Sequence, residues 1–288
     1  MATIIIPAHN EATVIGRTLE ELATGELRPG TRVLVAANGC TDDTIAIAES
    51  FADRLDVTVL DLPVASKQAA LNGAEDVLFA DDRPENFPRV YLDADIAAPA
   101  ASVNRVLEVL ESGEVLAARP PLAYQTQTAD ALVKAFYRAR SRTPEVLQAL
   151  WGAGFYAVSV QGRARWGRFP LDAPDDLYVD SLFSAEEKTV VGAEPVRVQV
   201  PRSSLALLKT LKRVYRPSEA VQELSPQSLG SSGNTLVSLL KANSGRPSEA
   251  LDALSYIGFA VTARVALKLD GRGGDHSGAS WERDDSTR

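Results

Sequence analysis

Thr3-Ile4-Ile5-Ile6-Pro7-Ala8-His9-Asn10-Glu11 begins as a short apolar run and stops in a polar loop. A run this brief and this rich in β-branched residues reads as a strand buried on both faces, the kind that parallel sheets use. Working outward, Ala12, Ile15, Leu19 and Leu22 recur at helical spacing, and Arg32 to Ala36 reads as a second strand. Thr41 is the expected N-cap of a helix carrying Ile45, Ala48 and Phe51. Val57 to Leu60 gives a third strand, Ser66 can cap a helix running toward Phe79, and Arg89-Val90-Tyr91-Leu92 gives a fourth strand. Strand and helix alternate throughout, which predicts an α/β fold with a mostly parallel central sheet and crossover helices on its faces.

Beyond residue 100 the pattern is less regular. Val103, Val106, Leu107 and Leu110 mark a helix, and Val115 to Ala118 a strand. Ala129 to Arg142 is helical until Pro144 interrupts or restarts it. Phe155 to Ser159 and Val196 to Val200 are strand candidates on either side of a loop from Pro170 to Asp176, and they are expected to complete the same sheet. The segment from Ser225 to Pro247 is rich in Ser, Gly and Asn. A helix from Ala250 to Leu269 follows it, and the last residues read as a disordered tail.

The 288 residues are 45% hydrophobic and 24% charged, so one sizeable core is within reach. The single cysteine, Cys40, rules out a disulfide framework and a Cys-rich zinc site. A formal charge of −8 argues against general nucleic-acid binding, because phosphate backbones are held by clustered Lys and Arg. The one such cluster comprises Arg202, Lys209, Lys212, Arg213 and Arg216. The opening residues lack the basic start and the length of a signal peptide, so a cytoplasmic location is expected. Leu251 to Leu269 comes nearest to a membrane span but contains Asp252, Arg264 and Lys268. It reads as a surface helix, packed on its own chain or on a partner in a homodimer, with at most peripheral membrane contact.

In open parallel sheets ligands bind beyond the carboxyl ends of the strands. Here those ends are polar: Pro7-Ala8-His9-Asn10-Glu11, then Asn38-Gly39-Cys40-Thr41-Asp42-Asp43, then Asp93-Ala94-Asp95. The Gly-rich fingerprints of dinucleotide-binding and P-loop proteins are both absent. Two carboxylates one residue apart at a strand end suit a hard divalent cation, Mn²⁺ or Mg²⁺, which bridges protein oxygens to a diphosphate. A solvated turn is the competing reading of Asp-x-Asp. Its place after an apolar strand, beside two other polar loops, favours the metal.

Taken in order, these segments resemble the family 2 glycosyltransferases, inverting enzymes of the GT-A fold, over roughly residues 2 to 216. Pro7, Ala8, Asn10 and Glu11 match the opening signature, and Ala37 to Asp42 match the second loop in outline. Lys67, Ala70 and Asn72 match a Lys-x-x-Ala-x-Asn segment, and Asp93 and Asp95 the Asp-x-Asp motif. Trp151-Gly152-Ala153-Gly154 is similar to the loop that shapes the acceptor side, and Asp175-Asp176 to the pair whose second carboxylate is the base. Lys209, Lys212, Arg213 and Arg216, at helical spacing, are similar to the cationic segment that meets the leaving diphosphate.

The resemblance implies metal-dependent transfer of a sugar from a nucleotide-sugar to a hydroxyl acceptor with inversion, as in a hexosyltransferase. Asp95, supported by Asp93, would hold the metal, and Pro7, Ala8, Asn10, Glu11, Asn38, Lys67, Asp93 and Ala94 would line the nucleotide. It also implies a catalytic domain over 1–218, with a nucleotide part to about 118 and an acceptor part from 119, then a helical extension over 219–269 and a tail over 270–288. Asn38 stands where the family has a carboxylate that reads the base. Its single amide acceptor suits one imide N–H of uracil or thymine, which leans toward a UDP- or dTDP-linked donor. His9 stands where an aromatic is common. A sugar-phosphate nucleotidyltransferase, which would favour a Gly-rich loop after the first strand, and a non-catalytic nucleotide-sugar-binding protein are the alternatives.

Overall fold

The computed structural model describes residues 2–80, 86–216 and 232–270. By packing, the described chain forms two compact units, one of residues 2–123 and 150–198, the other of residues 124–149 and 199–270.

The first unit is built on a seven-stranded sheet. In chain order its strands are β1 (Ala2–Ala8), β2 (Thr31–Asn38), β3 (Asp56–Leu62), β4 (Arg89–Leu92), β5 (Ala117–Arg119), β7 (Phe155–Val158) and β8 (Lys188–Val190). They lie in the order β3-β2-β1-β4-β7-β5-β8. β1, β2, β3 and β4 pair in parallel, whereas β7 runs antiparallel between β4 and β5. The helices are α1 (Ile15–Thr24), α2 (Thr44–Glu49), α3 (Lys67–Ala80), α4 (Ala100–Glu111), α7 (Val160–Arg163) and α8 (Asp175–Ser181). β6 (Leu122–Gln125) and β9 (Val196–Gln199) form a separate two-stranded sheet.

The alternation of β1 explains why its run is apolar without a polar face. Ile4 and Ile6 enter one core with Ile15, Leu19, Leu22, Val103, Val106 and Leu107. Ile5 enters the other core, on the opposite face, with Ala70, Leu71, Ala74 and Leu78 of α3. On α3 itself a buried carboxylate, Glu75, pairs with Arg89 and Arg163 and accepts the Tyr91 hydroxyl at 2.5 Å. Buried charges persist only when paired in this way.

Three sequence expectations change. Val196 to Val200 does not extend the main sheet, because β9 pairs with β6, a strand too short and mixed to be read from pattern. Thr41 does not cap α2; its backbone N–H instead donates to Asn10 Oδ1 at 2.7 Å, so it is spent joining two loops. Asp175 and Asp176 do not end a loop but form the first turn of α8, which Pro174 introduces. Two other expectations stand: Ser66 Oγ accepts from Ala69 N at the start of α3, and Pro144 restarts the chain as a new helix.

The second unit contains α5 (Ala131–Arg140), α6 (Pro144–Gln148), α9 (Ser204–Val214), α10 (Ser232–Ala242) and α11 (Pro247–Asp270). α10 falls within the expected helical extension, in its Ser- and Gly-rich part. Phe136, Leu207, Leu211, Phe259 and Ala263 form its core, with Phe136 stacked on Tyr256 at 4.7 Å. Asp252 of α11 accepts from Arg138 and Arg142 at 2.6 to 3.1 Å. The same two arginines line a pocket of about 290 Å³ with Tyr124, Thr126, Tyr137 and Ser141. The expected tail over 270–288 lies, apart from Asp270, outside the described residues.

Candidate active site

The polar loops at the carboxyl ends of β1 and β2 are clasped together by hydrogen bonds that their sequences encode. Asn10, at a φ of 52°, accepts from Thr41 N, and His9 Nδ1 donates to the Asn38 carbonyl at 2.6 Å. Asp42 accepts from Ala12 N at 3.1 Å and from the Thr44 hydroxyl at 2.5 Å. The Thr44 hydroxyl in turn accepts from Glu11 N at 2.7 Å. His9 therefore joins strand ends. Pro7, Ala8 and Glu11 are buried here. Asn38 is fully buried, with Nδ2 donating to the Val64 carbonyl at 3.2 Å and Oδ1 lacking a hydrogen-bond partner.

The Asp93-Ala94-Asp95 turn leaves β4 and is held from α1. Thr18 Oγ1 donates to the Ala94 carbonyl at 2.7 Å and Arg17 to the Asp95 carbonyl at 3.1 Å. The sequence reading missed both residues; their signal was a hydroxyl and a guanidinium in the first turn of the helix that follows the β1 loop. From the other side, Asp93 N donates to the Gly154 carbonyl at 2.8 Å.

Lys67, the first residue of α3, ties two expected motifs into one cluster. Its ammonium stands 2.6 Å from Asp93 Oδ1 and 2.8 Å from Asp175 Oδ1. Burial works against its charge, but Asp175, Asp93 and Asp176 outweigh that and raise its pKa. Asp175 is buried and its second oxygen accepts the Tyr156 hydroxyl at 3.0 Å. Burial beside Asp175 raises the Tyr156 hydroxyl well above its ordinary value.

Asp176 accepts two backbone N–H groups, from Gly152 and Leu177, each at 2.8 Å. Burial, then the neighbouring Asp175 charge, push its pKa up to about 6, against the pull of Lys67 and the Gly152 N–H. Further back on α3, Asn72 brackets Phe169, accepting its N–H at 2.7 Å and donating to its carbonyl at 3.0 Å. Gln68 donates to the Ala173 carbonyl at 2.8 Å. The Lys-x-x-Ala-x-Asn segment thus fixes the chain that delivers Asp175 and Asp176.

The first unit brings together Lys67, Asp93, Asp175, Asp176 and the Gly152 to Gly154 segment, while Asn10, Glu11 and Asn38 gather at the neighbouring strand ends. Trp151 is half-buried in the turn before Gly152. Lys209, Lys212 and Arg213 lie on α9 of the second unit, with Arg216 just past its end, and Lys212 pairs with Asp270.

Asp93 and Asp95 are half-buried on one turn. A Cβ on Gly154 would stand 3.0 Å from Asp93 Oδ2 and 2.5 Å from Ile96, so this glycine keeps clear the space beside the carboxylate. Among the described residues no group of three or more His, Cys, Asp or Glu side chains could hold a metal alone. Mg²⁺ and Mn²⁺ sites that use one or two carboxylates, with water and substrate phosphates as the remaining ligands, do not need such a group, so these residues fit one.

Comparison with known proteins agrees with this geometry. Among solved structures, the mannosyltransferase PcManGT from Pyrobaculum calidifontis, in complex with GDP-Man and Mn²⁺, superposes with a TM-score of 0.59 at 16% identity, covering 93% of this chain and 87% of that one. S. aureus TarS 1–349 in complex with UDP gives a TM-score of 0.54 at 12% identity, covering 99% of this chain and 94% of that one. In complex with UDP-GlcNAc it gives 0.52 at 12% identity, covering 92% of each chain. At these identities the likeness shows a shared fold, that of GT-A glycosyltransferases. No curated protein sequence matches the chain significantly. The model of the glycosyl transferase family 2 matches residues 3–158, from the first strand to β7, and the chain belongs to that family.

Proposed function

We propose that this glycosyltransferase moves a hexosyl group from a nucleoside-diphosphate donor to a hydroxyl acceptor with inversion at the anomeric carbon. The observation that carries this reading is Asp176, a carboxylate raised to about 6 and anchored by two backbone N–H groups in the cluster with Lys67, Asp93 and Asp175. A general base is most effective when its pKa lies near the working pH. The acceptor oxygen forms the new bond to the anomeric carbon, its proton passes to Asp176, and the bond to the departing diphosphate breaks.

Asp93 and Asp95 would hold Mn²⁺ or Mg²⁺, which when bound supplies positive charge for the diphosphate. Lys67 and Tyr156 hold Asp175, and Asp175 keeps a negative charge beside Asp176 that sustains its basicity. Asn10, Glu11 and Asn38 line the nucleotide side, and Trp151, Gly152 and Gly154 the acceptor side. Asn38 stands where the family carries a base-reading carboxylate, and a single amide acceptor suits a base with one imide N–H, hence UDP or dTDP.

The test is release of nucleoside diphosphate from UDP-glucose, UDP-GlcNAc, dTDP-glucose and GDP-mannose in the presence of Mn²⁺, with the product anomer read by NMR. Turnover of at least one donor that Asp176→Asn abolishes supports the reading. A pyrophosphate product would indicate nucleotidyl transfer instead, and binding without turnover a sensor.

A further inference from the structure

α11 carries two apolar faces, and only one is used within its own unit. Ala253, Phe259, Ala260 and Ala263 are buried, and Asp252 beside them holds Arg138 and Arg142. On the other face Leu251, Leu254, Val261 and Val265 are 67%, 63%, 52% and 50% exposed. With Gly258 between them they step by three and four residues, the spacing of a seam between two paired helices.

Gly258 is the informative member. Glycine in mid-helix is the poorest helix former after proline. Yet among the described residues a Cβ there would meet nothing within 4 Å, so their packing gives no reason for it. A second helix crossing at that point does, because the missing side chain lets two backbones approach. Gly258 also lies at the middle of α11, and the residues around it are self-complementary about that midpoint.

We propose that this stripe is the contact between two copies of the chain, their α11 helices packed antiparallel about a two-fold axis at Gly258. Leu251, seven residues before the glycine, then meets the partner subunit's Val265, seven after it. Leu254 meets the partner subunit's Val261 and Thr262. Glu249, in the first turn, approaches the partner subunit's Lys268 in the last, so charge agrees with the apolar register.

By length and composition α11 is apolar enough to cross a membrane, with a mean hydropathy of 1.4. A span would have to strip Asp252 from its two arginines. A lipid surface would want a cationic border, and the helix offers Arg264, stacked over Tyr215 at 4.5 Å, and Lys268.

Sedimentation velocity of the full chain from about 1 to 100 µM should show a dimer. Val261→Lys and Gly258→Leu should each raise its dissociation constant at least about tenfold. Thermal unfolding at the lowest concentration serves as the control for folding. Gly258→Leu should be no less stable there, since leucine is the better helix former and has open space to fill. A wild-type monomer across the range, a dimer that survives both substitutions, or co-sedimentation of the wild type with phosphatidylglycerol vesicles at physiological salt would each overturn the proposal.

Discussion

The raised pKa of Asp176 makes the pH profile a sharp test of its role. An ordinary aspartate, with a pKa near 3.8, would be more than about 90% charged at pH 5. With a pKa of about 6, Asp176 is only about 10% charged at pH 5 and about 90% charged at pH 7. Transfer under kcat/KM conditions should therefore fall about tenfold per pH unit below 6 and level off above 7. Asp176→Asn should lower transfer by roughly 10² or more at pH 7.5 and flatten the limb, while UDP affinity with Mn²⁺ stays within a few-fold. Stability runs the other way. The folded state holds this proton more tightly than the unfolded chain, so the stabilisation is complete below the unfolded pKa and is lost as pH rises through about 6. The amide cannot titrate, and it loses one of the two backbone hydrogen bonds at every pH. Relative to wild type, Asp176→Asn should thus gain roughly 1–3 kcal/mol between pH 4 and pH 8 in denaturant titrations without nucleotide or metal. An acid limb centred near pH 4, or near-normal transfer by the variant, would show that the base lies elsewhere.

Asp95→Asn should weaken both Mn²⁺-dependent UDP binding, read by calorimetry, and transfer, which separates it from Asp176→Asn. Glu75→Gln leaves the buried guanidiniums of Arg89 and Arg163 without their carboxylate, so urea unfolding should show a loss of about 3–5 kcal/mol. In thermal-shift assays with Mn²⁺, UDP or dTDP should stabilise the protein more than GDP, because Asn38 replaces the family's carboxylate with a single amide acceptor; equal or greater stabilisation by GDP would refute this. Gly154→Ala forces a side chain into a φ of 61° and onto Ile96 and Asp93, so Mn²⁺-dependent UDP binding and folding stability should both fall, the latter by about 1–3 kcal/mol.

The parallel half of the sheet was legible because β1, β2 and β4 hold short apolar runs buried almost throughout and ending in polar loops, while β3 shows an alternating, half-exposed pattern. β1 and β4 show this most plainly, and the loops after them hold Asn10, Glu11, Asp93, Ala94 and Asp95. The rest was hidden for physical reasons. β6, Leu122–Gln125, is half-buried along its length and carries no run of its own, so nothing announced that it takes β9 away from the main sheet. α10 forms in a segment whose Ser, Gly and Asn content speaks against a helix, and tertiary packing overrides such weak propensities. Arg17 and Thr18 act through backbone carbonyls of the Asp93 turn, and a carbonyl leaves no mark in sequence. Lys67 was visible as a motif residue, but that its ammonium joins Asp93 to Asp175 is a fact of three dimensions, since those carboxylates are far apart in the chain.

The segment from Gly152 to Gly154 explains why the two carboxylate motifs stand in fixed relation. Both glycines adopt positive φ, 81° and 61°, a conformation that other residues enter only with strain. In that conformation the Gly152 N–H faces Asp176 and the Gly154 carbonyl faces the N–H of Asp93. Ala153 between them is fully buried, so the segment cannot slide without opening a core that contains Phe155 and Leu92. One short stretch at the start of β7 thus touches the carboxylate proposed for the metal and the one proposed for the acceptor's proton. Lys67 makes the second connection, from α3, by pairing with Asp93 and Asp175. Two independent ties, one through backbone and one through charge, hold the carboxylates close despite their repulsion. Burial first, and then that repulsion, brings Asp176 into the range where a carboxylate can accept a proton near neutral pH.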